Sequence, residues 1–142
     1  MYMVAKKFRP YELLLADDDD EFRRILRTVL EPHVELCEVA SGEEAVEFVR
    51  TRHVDLVLLD MHMRALTGIE TLRAVKSLRA ALPCILITAN PTAELRRSAA
   101  EAQAFSVLKK PVTRRLLLKT VSHALEMTYD DPDVGDWLIA RG

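Results

Sequence analysis

The stretch VDLVLLD, residues 54–60, is apolar at five of its seven positions and closes on an aspartate. A strand with one wet face alternates polar and apolar residues, so an almost continuous apolar run belongs to a strand covered on both faces. Sheets covered in that way are parallel, with helices packed above and below them. This one segment therefore points to an α/β architecture, and its flanks extend the argument.

Four other runs read as strands: ELLLA (12–16), VELCEVA (34–40), PCILIT (83–88) and AFSVLK (104–109). Helical patterns lie between them. Phe22, Ile25, Leu26, Val29 and Leu30 follow the spacing i, i+3, i+4, i+7, i+8, one helical face that Pro32 ends. SGEE (41–44) has the form of a capping box, Ser41 with Glu44, and opens a helix to about Arg50. TGIETLRAVKSL (67–78) sets Ile69, Leu72, Val75 and Leu78 on one face. Thr92 caps a fourth helix, TAELRRSAAEAQ, whose only apolar residues are Leu95 and alanines; it is expected to be the least firmly anchored. VTRRLLLKTVSHALEM (112–127) closes the series. Strands and helices in this rhythm form right-handed crossovers around a parallel sheet. The expected layout is an N-terminal arm over 1–10, one domain over 11–128 and a C-terminal tail or linker over 129–142.

The 142 residues suit a single core, and 49% hydrophobic with 30% charged content is that of a folded globular chain. A net charge of −2 makes no field for gathering nucleic acid, so no nucleic-acid partner is expected. The start lacks the apolar segment of a signal peptide, and no run approaches the ~18–20 residues of a membrane span. A cytoplasmic protein without membrane contact is the expectation. Cys37 and Cys84 sit in apolar runs without metal-ligand spacing and read as buried, reduced thiols.

In an open parallel sheet the functional crevice lies at the carboxyl ends of the strands. The first strand ends on Asp17 and Asp18, the third on Asp60, the fourth on Thr88 and the fifth on Lys109 and Lys110. Each alone is an ordinary turn residue. Together they put acids, a hydroxyl and an ammonium on one rim. Four consecutive aspartates, in LLLADDDDEFRRIL (13–26), would repel one another, and a bound cation is the natural partner for part of that charge. Asp20, just before EFRRIL, suits the N-cap of the first helix. Lys109, on the other side of its strand from Lys110, is expected to be solvated.

With these residues in place, the sequence resembles the receiver domain of bacterial two-component response regulators. The resemblance rests on LLLADD, LVLLDMHM, Gly68 eight residues after Asp60, ILITA and KKP, and runs over roughly 11–128. It implies a flavodoxin-like, doubly wound five-stranded parallel sheet in the order 2-1-3-4-5 with five helices. It makes Asp60 the phosphoacceptor, forming a 4-aspartylphosphate. It assigns Mg²⁺ (or Mn²⁺) to Asp17, Asp18, Asp60 and the backbone carbonyl of His62, a set suited to a cation that keeps several waters. Thr88, Ala89 and Lys110 would bind the phosphoryl group and work the switch, and Lys110–Pro111 would be cis. His62 and Asn90 would tune the lifetime of the phosphorylated state. Asp19 and Asp20 read as structural, with influence on the cation from behind its ligands as the alternative role for Asp19. The implied partner is a sensor histidine kinase or phosphotransfer protein, and the output face is the fourth helix, fifth strand and fifth helix. Such a domain catalyses its own phosphorylation and hydrolysis but turns over no metabolite, so it is a switch rather than an enzyme.

Three positions depart from the family's habit. Arg64 stands where a proline is usual. Val107 replaces the usual aromatic switch residue, with Phe105 two residues earlier on the same strand face and expected in the core. Gln103-Ala104 replaces glycine-alanine. Two other function classes share some of these residues. A phosphohydrolase of the haloacid dehalogenase type would use Asp17 as nucleophile, and a degenerate receiver would bind proteins without binding metal. Leu116, Leu117 and Leu118 span about 200° of a helix, so one should face outward, and a homodimer through that output face is expected. His33, His53 and His123 have no legible partner and read as structural. After the last helix only TYDDPDVGDWLIARG remains, no room for a DNA-binding output domain in this chain. A stand-alone regulator and the receiver portion of a longer chain both fit.

Overall fold

In the computed structural model, which describes residues 10–134, five strands alternate with five helices. They are β1 (Glu12–Ala16), α1 (Asp20–Leu30), β2 (Glu35–Val39), α2 (Gly42–Thr51), β3 (Leu56–Asp60), α3 (Gly68–Leu78), β4 (Cys84–Thr88), α4 (Ala93–Glu101), β5 (Ser106–Lys109) and α5 (Arg114–Tyr129). The sheet runs β2-β1-β3-β4-β5 with every neighbouring pair parallel, the flavodoxin-like order that the resemblance implies.

Every residue of β3 and β4 is buried, as the unbroken apolar runs require. Alternate strand residues feed two cores. Leu13, Leu15, Leu56, Leu58, Ile85 and Ile87 pack against Leu26 and Leu30 of α1 and Leu117, Leu118 and Val121 of α5. Leu14, Val57, Leu59, Cys84 and Leu86 pack against Ala45 and Val49 of α2, Leu72 and Val75 of α3, and Ala99 of α4. Two helices thus cover one face and three the other. Ala99 is the one buried residue of α4, the weak anchorage its composition predicts. Where α2 crosses α3, side chains of Thr71 and Leu66 press directly on the backbone of α2. A Cβ on Gly42 would lie 2.1 Å from Thr71 Oγ1, so no larger residue fits there.

The ends of the elements correct several expectations. Asp19, not Asp20, caps α1: its carboxylate accepts from the amides of Glu21 and Phe22. Ser41 caps α2, but the Glu44 carboxylate turns to the amide of Ala40 rather than closing the box on Ser41. A complete capping box occurs instead at Thr67 and Glu70, opening α3. Ile25 is 53% exposed, because the stripe of α1 facing the sheet is centred on Leu26 and Leu30 and a step of 100° carries Ile25 outward. Leu78 is exposed as well, at the end of its helix. Cys84 is fully buried and its thiol is pushed up to about 12 by that burial, whereas Cys37 is only half-buried.

Packing extends past residue 128. Helix α5 continues to Tyr129, whose hydroxyl donates to the Asp55 carbonyl at 2.6 Å. Tyr11 donates to Asp131 Oδ2 at 2.6 Å, and Val134 is buried in the α1–α5 core. Of the expected arm only residue 10, and of the expected tail only residues 129–134, fall within the described residues.

Candidate functional site

Sheet register builds the site. Ala16 of β1 pairs with Leu59 of β3, so the residues following them, Asp17 and Asp60, emerge side by side at the carboxyl edge. Asp17 is fully buried, and its amide donates to Val39 O on β2. Its Oδ1 accepts from the amide of Asp19 at 2.9 Å. Asp60 is 3% exposed, while Asp18 faces solvent. Ligand oxygens of Asp17, Asp18 and Asp60 lie within 4.8 Å of one another. Burial pushes the Asp17 carboxyl up to about 6; the charge of Asp60 adds to this, and the Asp19 amide and Lys110 oppose it. An acid driven toward protonation by its surroundings and grouped with two others suits a hard divalent cation, which accepts oxygen ligands and offsets their repulsion.

Lys110 enters from the far side of the cluster. Its Nζ lies 2.7 Å from Asp60 Oδ1 and 3.5 Å from Asp17 Oδ2, and sits over the Phe22 ring at 4.1 Å from the centroid. Burial disfavours its charge, but Asp60 and Asp17 outweigh that and raise its pKa. The Lys110–Pro111 bond is cis, and the Lys110 amide donates to Thr88 O at 2.8 Å. Lys109 is exposed, as expected. Thr88 is buried at the end of β4, one residue beyond the partner of Asp60, and its hydroxyl accepts from the amide of Asn90. Ala89 and Asn90 lie exposed above it.

The loop from β3 to α3 carries the rest. The Met61 amide donates to Ile87 O, and the Gly68 amide donates to Met61 O at 2.9 Å, closing the turn that holds His62. A Cβ on Gly68 would lie 2.5 Å from the Asp60 carbonyl, so the start of α3 must be glycine to approach the loop this closely. Met63 is buried beneath the loop, while His62 and Arg64 are exposed. Ala65 takes a left-handed conformation, φ 62°, in the turn where proline was absent.

Two histidine expectations need correction. His53 Nε2 pairs with Asp55 Oδ1 at 2.9 Å, and His123 meets the Phe105 ring edge-on at 5.5 Å. Nor do Phe105 and Val107 share a face: Phe105 packs with the α1–α5 core and Val107 with the α2–α3–α4 core. The chain bends into β5 at residue 105, which breaks the alternation that the spacing assumed. One residue was missed altogether. Arg23 reaches back from α1 to the Asp17 carbonyl, and its spacing of six from Asp17, with an acid on β2 to oppose it, was the only sequence sign.

Comparison with known proteins shows the family and the fold. The response regulator receiver domain family matches residues 13–122. Among curated relatives, the transcriptional regulatory protein ZraR of Escherichia coli O157:H7 is 36% identical over 121 residues, 83% of this chain and 27% of that protein. The response regulator MprA of Mycolicibacterium vanbaalenii is 31% identical over 89% of this chain and 55% of its own length. The chain thus spans between a quarter and about half of these relatives. A CheY-like receiver domain from Methanospirillum hungatei shares the fold at TM-score 0.82 and 24% identity, covering 85% of this chain and 98% of that one. The signal receiver domain of an HD domain-containing protein from Pseudomonas fluorescens superposes at TM-score 0.81 with 26% identity, over 87% of this chain and 100% of that one. With a family match over most of its length and receiver domains among its structural neighbours, the chain belongs to the response regulator receiver domains of two-component systems.

Proposed function

We propose that Asp60 accepts a phosphoryl group from a sensor histidine kinase or phosphotransfer protein, and that the change is passed on through α4, β5 and α5. The observation that carries this is the placement of Lys110 Nζ 2.7 Å from Asp60 Oδ1 within a cluster of three carboxylates. An Asp60 oxygen attacks phosphorus, a new O–P bond forms, and the bond to the donor breaks with its electron pair leaving on the donor. Lys110 then pairs with a phosphoryl oxygen in place of the bare carboxylate, as a point charge on a flexible stem does well. Thr88 exchanges its local contact for a second phosphoryl oxygen, and exposed Ala89 leaves space for that group. Asp17, Asp18, Asp60 and the His62 carbonyl would hold a Mg²⁺ or Mn²⁺ ion, which would supply charge neutralisation between the two anionic reactants. Hydrolysis reverses the modification when water attacks phosphorus, and exposed His62 and Asn90 flank that approach.

Membership of the receiver family favours a signalling switch over a metabolite phosphatase with Asp17 as nucleophile. Leu116 is 43% exposed beside buried Leu117 and Leu118, and this supports a homodimer through the α4–β5–α5 face. Among the described residues no helix is long and apolar enough to cross a membrane. Incubation with acetyl phosphate and Mg²⁺ tests the phosphoacceptor. The intact protein should gain one phosphoryl group, located on Asp60 by mass spectrometry, and Asp60→Asn should gain none. A stable phosphoryl group on Asp17 would overturn the assignment.

A further inference from the structure

Four successive carboxylates follow β1, yet Asp17 and Asp18 must turn toward one point while Asp19 caps a helix. Mutual repulsion favours splaying them apart. The main chain of Asp17 is held on one side by β2, where its amide meets Val39 O at 3.1 Å. On the other side its carbonyl is held by Arg23 Nη1 at 2.6 Å. The same guanidinium donates from Nε to Glu38 Oε1 on β2 at 3.2 Å, and from Nη2 to Asp20 Oδ1. Its side chain is only 16% exposed. Glu38 is fixed in turn by Arg27, whose Nη2 donates to Oε1 at 2.9 Å, and the two arginines depress the Glu38 carboxyl below its ordinary value, Arg27 the more strongly. A rigid fork thus joins β2, the turn at Asp17 and the first turn of α1.

We infer that Arg23, buttressed by Glu38, is a positioning residue that aims the Asp17 and Asp18 carboxylates at the cation site. This rests on the proposed metal role of those aspartates. Arg23 bonds the Asp17 carbonyl, Glu38 and Asp20 rather than the carboxylates of the cluster, so it acts through the peptide that carries Asp17. Mg²⁺ tolerates little departure from octahedral geometry, so a turn free to splay binds it less well. The groups that orient ligands from behind commonly change metal affinity by about 10–100-fold when removed. Lysine at position 23 would keep the charge but lose the planar fork that meets several acceptors at once.

The charge and positioning roles predict opposite signs. Removing a positive charge near a cation site should tighten Mg²⁺ binding, whereas releasing the turn should weaken it. Mg²⁺ titration by calorimetry on the full chain, with Arg24→Gln as control for charge alone, separates them; Arg24 is exposed on the same helix. Expected are an affinity loss of about tenfold for Arg23→Gln and Arg23→Lys, a smaller loss for Glu38→Gln, and an unchanged or tighter site for Arg24→Gln. Circular dichroism melts would accompany each variant, and Glu38→Gln and Arg23→Lys carry the test if Arg23→Gln does not fold. Unchanged or tighter binding in folded Arg23 variants overturns the positioning role alone. Failure of the parent protein to bind Mg²⁺ overturns the metal site, and the positioning role falls with it.

Discussion

Asp17 shows how one residue can cost a fold stability while serving its site. Its carboxyl is pushed up to about 6 by burial, above the ordinary aspartate range. The folded state therefore prefers the proton that the unfolded state releases earlier. The stability this group contributes is present in full below the unfolded value and is lost as pH rises through about 6. Without metal, Asp17→Asn should melt at a higher temperature than the parent at pH 7.5, and the gap should narrow at pH 5. Added Mg²⁺ should raise the parent's melting point at pH 7.5 and leave Asp17→Asn nearly unmoved. Thermal melts in EDTA and in Mg²⁺ at both pH values check this. Gln103 bears a different local cost. It holds φ 65° at the end of α4, where its amide meets Ala100 O and the Ala104 amide meets Ala99 O. This is the left-handed helix stop at which glycine is at ease and a side chain is not. Gln103→Gly should stabilise the protein by about 1 kcal/mol in denaturant melts, the penalty of that conformation less glycine's added freedom when unfolded. The sequence resemblance marked this position as a departure, but only the backbone angle explains its cost.

Elements were legible to the extent that their signal was local. Five strands could be read from apolar runs because strands buried on both faces need little else, and β3 and β4 are buried along their whole length. Helix starts were harder, because several residues in a row are chemically able to cap. Between Asp19 and Asp20 the choice is made by which carboxylate can meet the free amides once β1 has set the chain's direction. The complete box at Thr67 and Glu70 was overlooked beside the more familiar SGEE, where the glutamate in fact turns to Ala40. Thr67→Ala should lose the hydroxyl that accepts from the Glu70 amide while keeping the backbone N–H that meets the Glu70 carboxylate, and both it and Ser41→Ala should cost about 1 kcal/mol in chemical denaturation. The burial of Ile25 and the shared face of Phe105 and Val107 were misjudged for one reason, although Phe105 does pack in the core. Ideal periodicity assumes that the partner surface is as wide as the pattern and that the strand stays straight, and neither holds here.

For the molecule as a whole, topology made the site readable in outline. Once parallel strands are accepted, their last residues must share an edge, and Asp17, Asp60, Thr88 and Lys110 do so. What sequence could not supply was depth. Asp17 and Asp60 are buried while Asp18, in the same run, is not, and the brace from Arg23 to Glu38 joins residues fifteen apart on different elements. The output surface is a property of the same scale. Leu116 is exposed there among Arg115 and Lys119, so a symmetric pair must bring like charges together as it buries the leucine. Dimerisation should accordingly be weak at low ionic strength and strengthen with salt. Light scattering at low and high salt, with and without beryllofluoride in place of the phosphoryl group, measures this; a monomer under all four conditions removes the dimer.

The tyrosine contacts at the end of α5 give the protein an unequal response to tension. Tyr11, Asp55, Tyr129 and Asp131 meet at the edge where the strands begin, a full strand length from Asp60. A pull entering at residue 10 and leaving at residue 134 is met first by two phenol hydroxyls. Once these part, α5 is held to the sheet largely through the packing of Leu117, Leu118, Val121 and Leu125, whereas β1 sits between β2 and β3 and must shear two hydrogen-bonded ladders at once. Stretched in an optical trap, the molecule should shed α5 at low force and keep its acid-bearing sheet to a much higher one.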